Sequence, residues 1–144
     1  MDLRIEHARL DDASDVLRLL VENHLPVEGL TEHLPTTIVA RQDGQIVGSA
    51  ALEVYPDAAL MRSVAVAPRL HGQGLGRQLA DAAIKLAQDL GLPAIYLLTT
   101  TAERYFPRFG FERIDRQDVP DTVKASVEFT SACPSTATVM RKSL

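Results

Sequence analysis

The run Leu60-Met61-Arg62-Ser63-Val64-Ala65-Val66-Ala67-Pro68-Arg69-Leu70-His71-Gly72-Gln73-Gly74-Leu75-Gly76 constrains the fold of this 144-residue chain more than any other stretch. It reads as an apolar strand, a turn opened by Pro68, and glycines that lead straight into a helix. Glycines at such a junction let the backbone approach a ligand, with several N–H groups pointing one way. The positive end of the helix dipole adds its pull on an anion. This is a site for a phosphate or pyrophosphate.

Two phosphate-binding patterns are excluded by spacing. A nucleotide P-loop needs Lys and then Ser or Thr directly after its last glycine, whereas Gly76 is followed by Arg77 and Gln78. A dinucleotide fingerprint needs two residues before its third glycine and an acidic residue after the next strand. Here Gly72, Gly74 and Gly76 alternate with single residues, and the strand Ala94-Ile95-Tyr96-Leu97-Leu98 ends in threonines. A glycine turn without a ligand is the remaining alternative, and the flanking strand and amphipathic helix favour the ligand.

Val64-x-Val66-x-Pro68 followed by His71-Gly72-Gln73-Gly74-Leu75-Gly76 resembles the acyl-CoA-binding signature of the GNAT superfamily of N-acetyltransferases. The signature usually begins with Gln or Arg, where this chain has His71. The resemblance implies that the backbone of Val64, Ala65 and Val66 pairs with pantetheine. It implies too that His71, Gly72, Gln73, Gly74, Leu75, Gly76 and Arg77 hold the CoA pyrophosphate. The implied fold is α/β, a mixed and mostly antiparallel sheet with a central parallel pair, flanked by helices.

The remaining periodicities agree with that class. Leu3 to Ala8 alternates as a first strand, and Asp11 or Asp12 caps a helix carrying Ala13, Val16, Leu17 and Leu20 on one face. Thr36 to Arg41 and Gln45 to Tyr55 read as a hairpin turned by Asp43-Gly44. The helix from Gly74 to Leu90 carries Leu75, Leu79, Ala82, Ala83, Leu86 and Leu90, and Gly91 and Pro93 end it. Ala94 to Leu98 is a strand covered on both faces. Thr101 to Arg108 is a short helix, Phe111 to Ile114 a strand, Val119 to Val127 a short helix, and Thr136 to Lys142 a closing strand. The polar segment Asn23 to Pro35, with His24 and His33, is expected to border the acceptor site.

Composition limits the function classes. With 46% hydrophobic and 24% charged residues the chain is a globular domain, taken as one unit over residues 1–144. A net charge of -4 argues against a general nucleic-acid binder. No apolar run reaches membrane-spanning length, the N-terminus lacks a signal-peptide core, and the one cysteine, Cys133, fits a reducing compartment. The expectation is a cytoplasmic protein without nucleic-acid or membrane partners, able to act alone or as a homodimer. A metalloid site needs two or three sulfurs, so Cys133 alone makes none, and no metal is expected.

Thr99 to Phe111 carries a second part of the resemblance. Gly110-Phe111 and Ala102 match the family, but Thr99 stands where Asn is usual and Phe106 where Tyr is usual. That Tyr is the family's usual general acid, and Phe has no proton to give. A one-residue step turns Tyr105 about 100° round a helix, which makes it a packing or rim residue. Thr99 and Phe106 still fall beside the co-substrate by resemblance. The family's early-strand Glu is replaced by Leu60, leaving Glu53 either a base or a solvated strand carboxylate.

Leu97-Leu98-Thr99-Thr100-Thr101-Ala102, Tyr105-Phe106 and Gly110-Phe111 are similar to the catalytic domain of N-acetylglutamate synthases. Leu52-Glu53 with Arg62-Ser63-Val64-Ala65-Val66, the same threonine segment, and the tail Glu128-Phe129-x-x-x-Cys133-Pro134-x-x-x-x-x-Met140 look closer still to arsenic-resistance N-acetyltransferases. The activity so implied is acetyl transfer from acetyl-CoA to the amine of a small amino-acid-like acceptor, with a link to arsenic detoxification. A glutamate-type acetyltransferase and a CoA-binding module without catalysis are the alternatives. By the family geometry the backbone N–H of Val66 meets the oxyanion. Arg62 is either a clamp for an acceptor carboxylate or a surface residue at a strand end.

Overall fold

The computed structural model describes residues 2–144. Its strands are β1 (Leu3–His7), β2 (Thr37–Gln42), β3 (Gln45–Tyr55), β4 (Ala58–Val66), β5 (Ala94–Thr99), β6 (Glu112–Ile114) and β7 (Thr138–Ser143). They form one sheet in the order β1-β2-β3-β4-β5-β7-β6, parallel only between β4 and β5. This is the mixed sheet with a central parallel pair that the sequence implies.

The helices α1 (Ala13–Glu22) and α2 (Leu75–Asp89) cover opposite faces of the sheet. Leu75, Leu79, Ala80, Ala83, Ile84 and Ala87 of α2 bury against Leu52, Met61, Ile95 and Leu97, while Val16, Leu19 and Leu20 of α1 bury against Val39, Ala51 and Ala65. Full burial of a leucine such as Leu79 contributes about 2 kcal/mol. The apolar stripe of α2 lies slightly round from the expected one: Ala80, Ile84 and Ala87 are inside, and Leu90 is exposed. Asp12 precedes α1 but does not cap it with its side chain. Its carboxylate accepts instead from the Arg9 N–H at 2.8 Å and from Arg41 Nη2 at 2.8 Å, tying the helix entry to β2. Hydrogen bonds from Arg41 hold that carboxyl below the usual aspartate range.

The feature that positions the site is a β-bulge in β4. Ala51 pairs with Arg62 and Ser49 with Ala65, so two steps along β3 face three along β4. The extra residue is Ser63, in the left-handed region at φ 59°, and the Ser49 hydroxyl holds it by donating to its carbonyl at 2.7 Å. An added residue reverses the alternation of side chains beyond it. Met61 packs on the α2 side before the bulge, and Val64 and Val66 do so after it. The bulge also ends pairing with β5. Ala59 and Leu60 lie opposite Ile95 and Tyr96, and past them the two strands part.

The expected helix over Thr101–Arg108 is not formed. Residues 100–105 are turns, and one 3-10 turn, Phe106–Phe109, follows. Pro107 removes the backbone donor that a longer helix would use. The expected helix over Val119–Val127 shortens to α3 (Asp121–Lys124), followed by a wide turn at Glu128–Ala132.

Candidate active site

Between the parted ends of β4 and β5 lies a cavity of about 480 Å³. Met61, Arg62, Ser63 and Val64 line it from β4, and Leu97, Leu98 and Thr99 from β5. His24, Leu25, Pro26 and Glu28 close one side, as expected of the polar loop, and Glu128 and Cys133 close another. Phe106 is on the wall; Tyr105 is not.

One cavity edge is backbone. The Ala67 N–H donates to the Val47 carbonyl across β3 at 2.8 Å. Successive peptide groups of an antiparallel strand point to opposite edges, so the Val66 N–H and carbonyl point away from β3, toward the cleft. His71 uses that edge: its Nε2 lies 2.7 Å from the Val66 carbonyl oxygen. Thr99 is a local brace, its Oγ1 accepting from the N–H groups of Ala102 at 2.9 Å and Thr101 at 3.3 Å.

The glycine loop has the form of an anion cradle. Gly74, at φ 82°, turns the chain into α2, and a Cβ there would meet nothing within 4 Å, so its outer face is open. No side chain caps α2, which leaves the first-turn N–H groups of Leu75, Gly76 and Arg77 for a ligand. A Cβ on Gly76 would stand 3.5 Å from Tyr105 Oη and 3.6 Å from Val66 Cγ2, which places that phenol against the first turn of α2. Beside α2 a second cavity of about 420 Å³ carries Arg77, Lys85, Arg108 and Lys142 against the single carboxylate of Asp81.

The chain belongs to the GNAT family of acetyltransferases. The family model matches residues 6–111, which span both the bulged strand and the glycine loop. The amino-acid acetyltransferase of Mycobacterium tuberculosis is 31% identical over 77% of this chain and 69% of its own length. An uncharacterized N-acetyltransferase of Chlorobaculum tepidum is 28% identical over 85% of this chain and 83% of its own. The N-acetylglutamate synthase of Neisseria gonorrhoeae, solved with coenzyme A and N-acetyl-glutamate, superposes with a TM-score of 0.82 at 22% identity. That likeness covers 100% of this chain and 35% of the synthase. As a GNAT acetyltransferase the chain takes acetyl-CoA as its acyl donor.

Arg62 is neither a surface residue nor an open clamp. Its side chain is fully buried, with Nη1 donating to Glu53 Oε2 at 2.8 Å and to the Glu28 carbonyl at 2.7 Å. Nη2 donates to the Pro26 carbonyl at 3.2 Å, and Nε lies 3.3 Å from Glu128 Oε2. With its fork committed to the protein, the guanidinium cannot offer two prongs to an acceptor carboxylate. Gly29 lets the covering loop come this close: at φ 77°, a Cβ would fall 2.9 Å from Val127 and 3.6 Å from Arg62 Nη1.

Glu53 is not a solvated carboxylate either. It is buried behind Arg62, outside the cavity wall. Burial pushes its pKa up, but hydrogen bonds from Ser126, Tyr55 and Arg62 outweigh burial and hold it below the usual glutamate range. His33 stands 3.9 Å behind it, away from the cavity. Sequence reasoning gave Glu128 no chemical role. Its sequence signals are a lone acid between Val127 and Phe129 and its place at the head of the Glu128-Phe129-x-x-x-Cys133-Pro134 tail. Among the described residues no group of three His, Cys, Asp or Glu forms a metal site, and no helix is long and apolar enough to cross a membrane.

Proposed function

We propose that this protein transfers the acetyl group of acetyl-CoA to the amine of a small amino-acid-like acceptor held in the cavity between β4 and β5. The observation that carries this reading is the fork itself, where an uncapped glycine loop and a cavity of mixed polar and apolar lining meet along one free strand edge. The CoA pyrophosphate lies on the N–H groups of residues 72–77, the His71 N–H being spent on the Pro68 carbonyl at 3.2 Å, and the basic cavity along α2 takes the nucleotide end. Val64, Ala65 and Val66 guide the pantetheine arm, which brings the thioester to the mouth of the cavity. The Val66 N–H then meets the oxyanion of the tetrahedral intermediate.

The acceptor class draws support from the amino-acid acetyltransferases among the relatives and from the N-acetyl-glutamate bound by the gonococcal synthase. Holding amine and thioester in one small space supplies much of the rate. The thiol of CoA, near pKa ~8.5 like cysteine, leaves without the family's usual Tyr, so Phe106 is compatible with turnover. The deciding experiment is thiol release from acetyl-CoA across a panel of amino acids, their amides and amino-bearing arsenicals. Turnover with an amino acid is the expected result. A panel without turnover, despite tight CoA binding, would favour the CoA-binding module.

A further inference from the structure

Acetyl transfer to an amine needs a base, because an alkyl ammonium of pKa ~10 is mostly protonated at neutral pH. The residue types expected of that role are absent or misplaced: Leu60 replaces the family's acid, and Glu53 is sealed behind Arg62. We propose that Glu128 is the catalytic base, taking a proton from the acceptor's ammonium at the floor of the cavity. This rests on the cavity being the acceptor site.

Geometry singles this side chain out. Two carboxylates line the cavity, Glu28 and Glu128. Glu28 is half-exposed on the loop, whereas Glu128 is 4% exposed. A carboxylate buried to that degree is sustained only by partners: Glu128 has the Arg62 charge beside it, Nε at 3.3 Å with its N–H donating to Ser63 Oγ at 3.1 Å, and the Cys133 thiol as hydrogen-bond partner. Its backbone is fixed as well: the Glu128 N–H donates to Ser126 Oγ at 3.1 Å, and its carbonyl accepts from the Cys133 N–H at 3.2 Å. Arg62, held by Glu53, Ser63 and two loop carbonyls, thus stands as a fixed counter-charge beside Glu128.

The surroundings also set its readiness. Charged or titratable groups approach from β4 (Arg62), β3 (Glu53), the loop before β2 (Glu28, and His24 across the cavity) and its own segment (Cys133). Burial pushes the Glu128 carboxyl up to about 7 against the pull of Arg62, and Glu53 and Glu28 push the same way. A base is most effective when its pKa lies near the working pH.

The step balances simply. The ammonium gives one proton to a Glu128 oxygen, and the freed lone pair forms the N–C bond to the thioester carbonyl carbon. Collapse breaks the C–S bond, the second proton leaves nitrogen for the thiolate sulfur, and Glu128 returns its proton to solvent. The products are the N-acetylated amine, CoA thiol and one proton.

The test begins with the best acceptor found for the wild-type protein; a panel without turnover would sink the acetyltransfer reading and this proposal with it. Given turnover, Glu128→Gln should lower kcat by at least ~100-fold while calorimetric acetyl-CoA affinity stays within about two-fold. The wild-type kcat profile should climb through a limb near pH 7, absent from the residual activity of E128Q. Glu128→Asp should keep that limb at reduced rate. A kcat for E128Q within a few-fold of wild type overturns the proposal, as does the same limb persisting in that variant. If E128Q fails to bind acetyl-CoA, the other two profiles decide: a wild-type profile without the limb, or an E128D profile without it, rejects Glu128.

Discussion

Arg62 Nη1 and Glu53 Oε2 stand 2.8 Å apart, in side chains no more than 1% exposed. Such a pair adds little net stability over an apolar replacement, but removing one partner strands a charge in the interior. Arg62→Ala should therefore lower unfolding free energy by about 3–5 kcal/mol, seen as an early midpoint in urea denaturation. Arg62→Lys should recover only part of it, because an ammonium cannot reach Glu53, Glu128 and two carbonyls together. A fully stable alanine variant with a raised acceptor KM would restore the clamp role and remove the structural one.

The α2 loop is tested through Gly74. Valine at φ 82° forces a strained backbone or a rebuilt loop, and either displaces the first-turn N–H groups. Gly74→Val should weaken acetyl-CoA binding by at least ~10-fold in calorimetry, while Val substituted at exposed Arg69 should not. Equal affinities would place the pyrophosphate elsewhere.

Tyr105 packs edge-on against Phe106 and Phe109, with its hydroxyl beside Gly76 and off the cavity wall. Tyr105→Phe should leave kcat within a few-fold. A loss of ~100-fold with the fold intact would make this phenol the general acid.

Glu128 also leaves a mark on stability. Its carboxyl is raised to about 7 by burial, above the ~4.3 of an unfolded glutamate, so between those values the native chain binds more proton than the unfolded one. This group's contribution is complete below about pH 4 and is lost as pH rises to 7, an effect of order 3 kcal/mol. E128Q lacks it. Its stability relative to wild type should rise between pH 4 and 8 in paired urea titrations; parallel curves would mean an ordinary carboxyl.

Cys133 offers a simpler check. Burial, then the neighbouring Glu128 carboxylate, pushes its thiol up to about 12. Alkylation by iodoacetamide at pH 8 should run at least ~100-fold slower than for free cysteine. Fast modification would mean an open, activated thiol.

The local signals in the sequence were strong where neighbours along the chain decide the structure. The glycine loop, the Asp43-Gly44 hairpin and the run of α2 each depend on residues within one or two turns, and each is formed. The site is different. Arg62 meets Glu53 across a strand pair, Glu28 through a covering loop and Glu128 from the far end of the chain. A strand-end arginine carries no mark of that enclosure, because its partners are assembled only by the fold. The bulge was equally silent, as Ser63 sits in a left-handed conformation with no glycine to announce it. The segment after Thr99 misled by composition: helix-compatible residues up to Arg108 are held in turns by the Thr99 hydroxyl and by Pro107.

One residue out of step at Ser63 gives β4 two separate vocabularies. Upstream of it, the odd side chains belong to the α2 face and Arg62 to the buried cluster with Glu53 and Glu128; downstream, the even ones, Val64 and Val66, take the α2 face. Substitutions on the two sides of Ser63 can therefore drift independently, one retuning the buried charge cluster and the other the edge that faces the glycine loop. Deleting Ser63 would merge the two halves into one uninterrupted strand and put the side chains beyond it on the wrong faces.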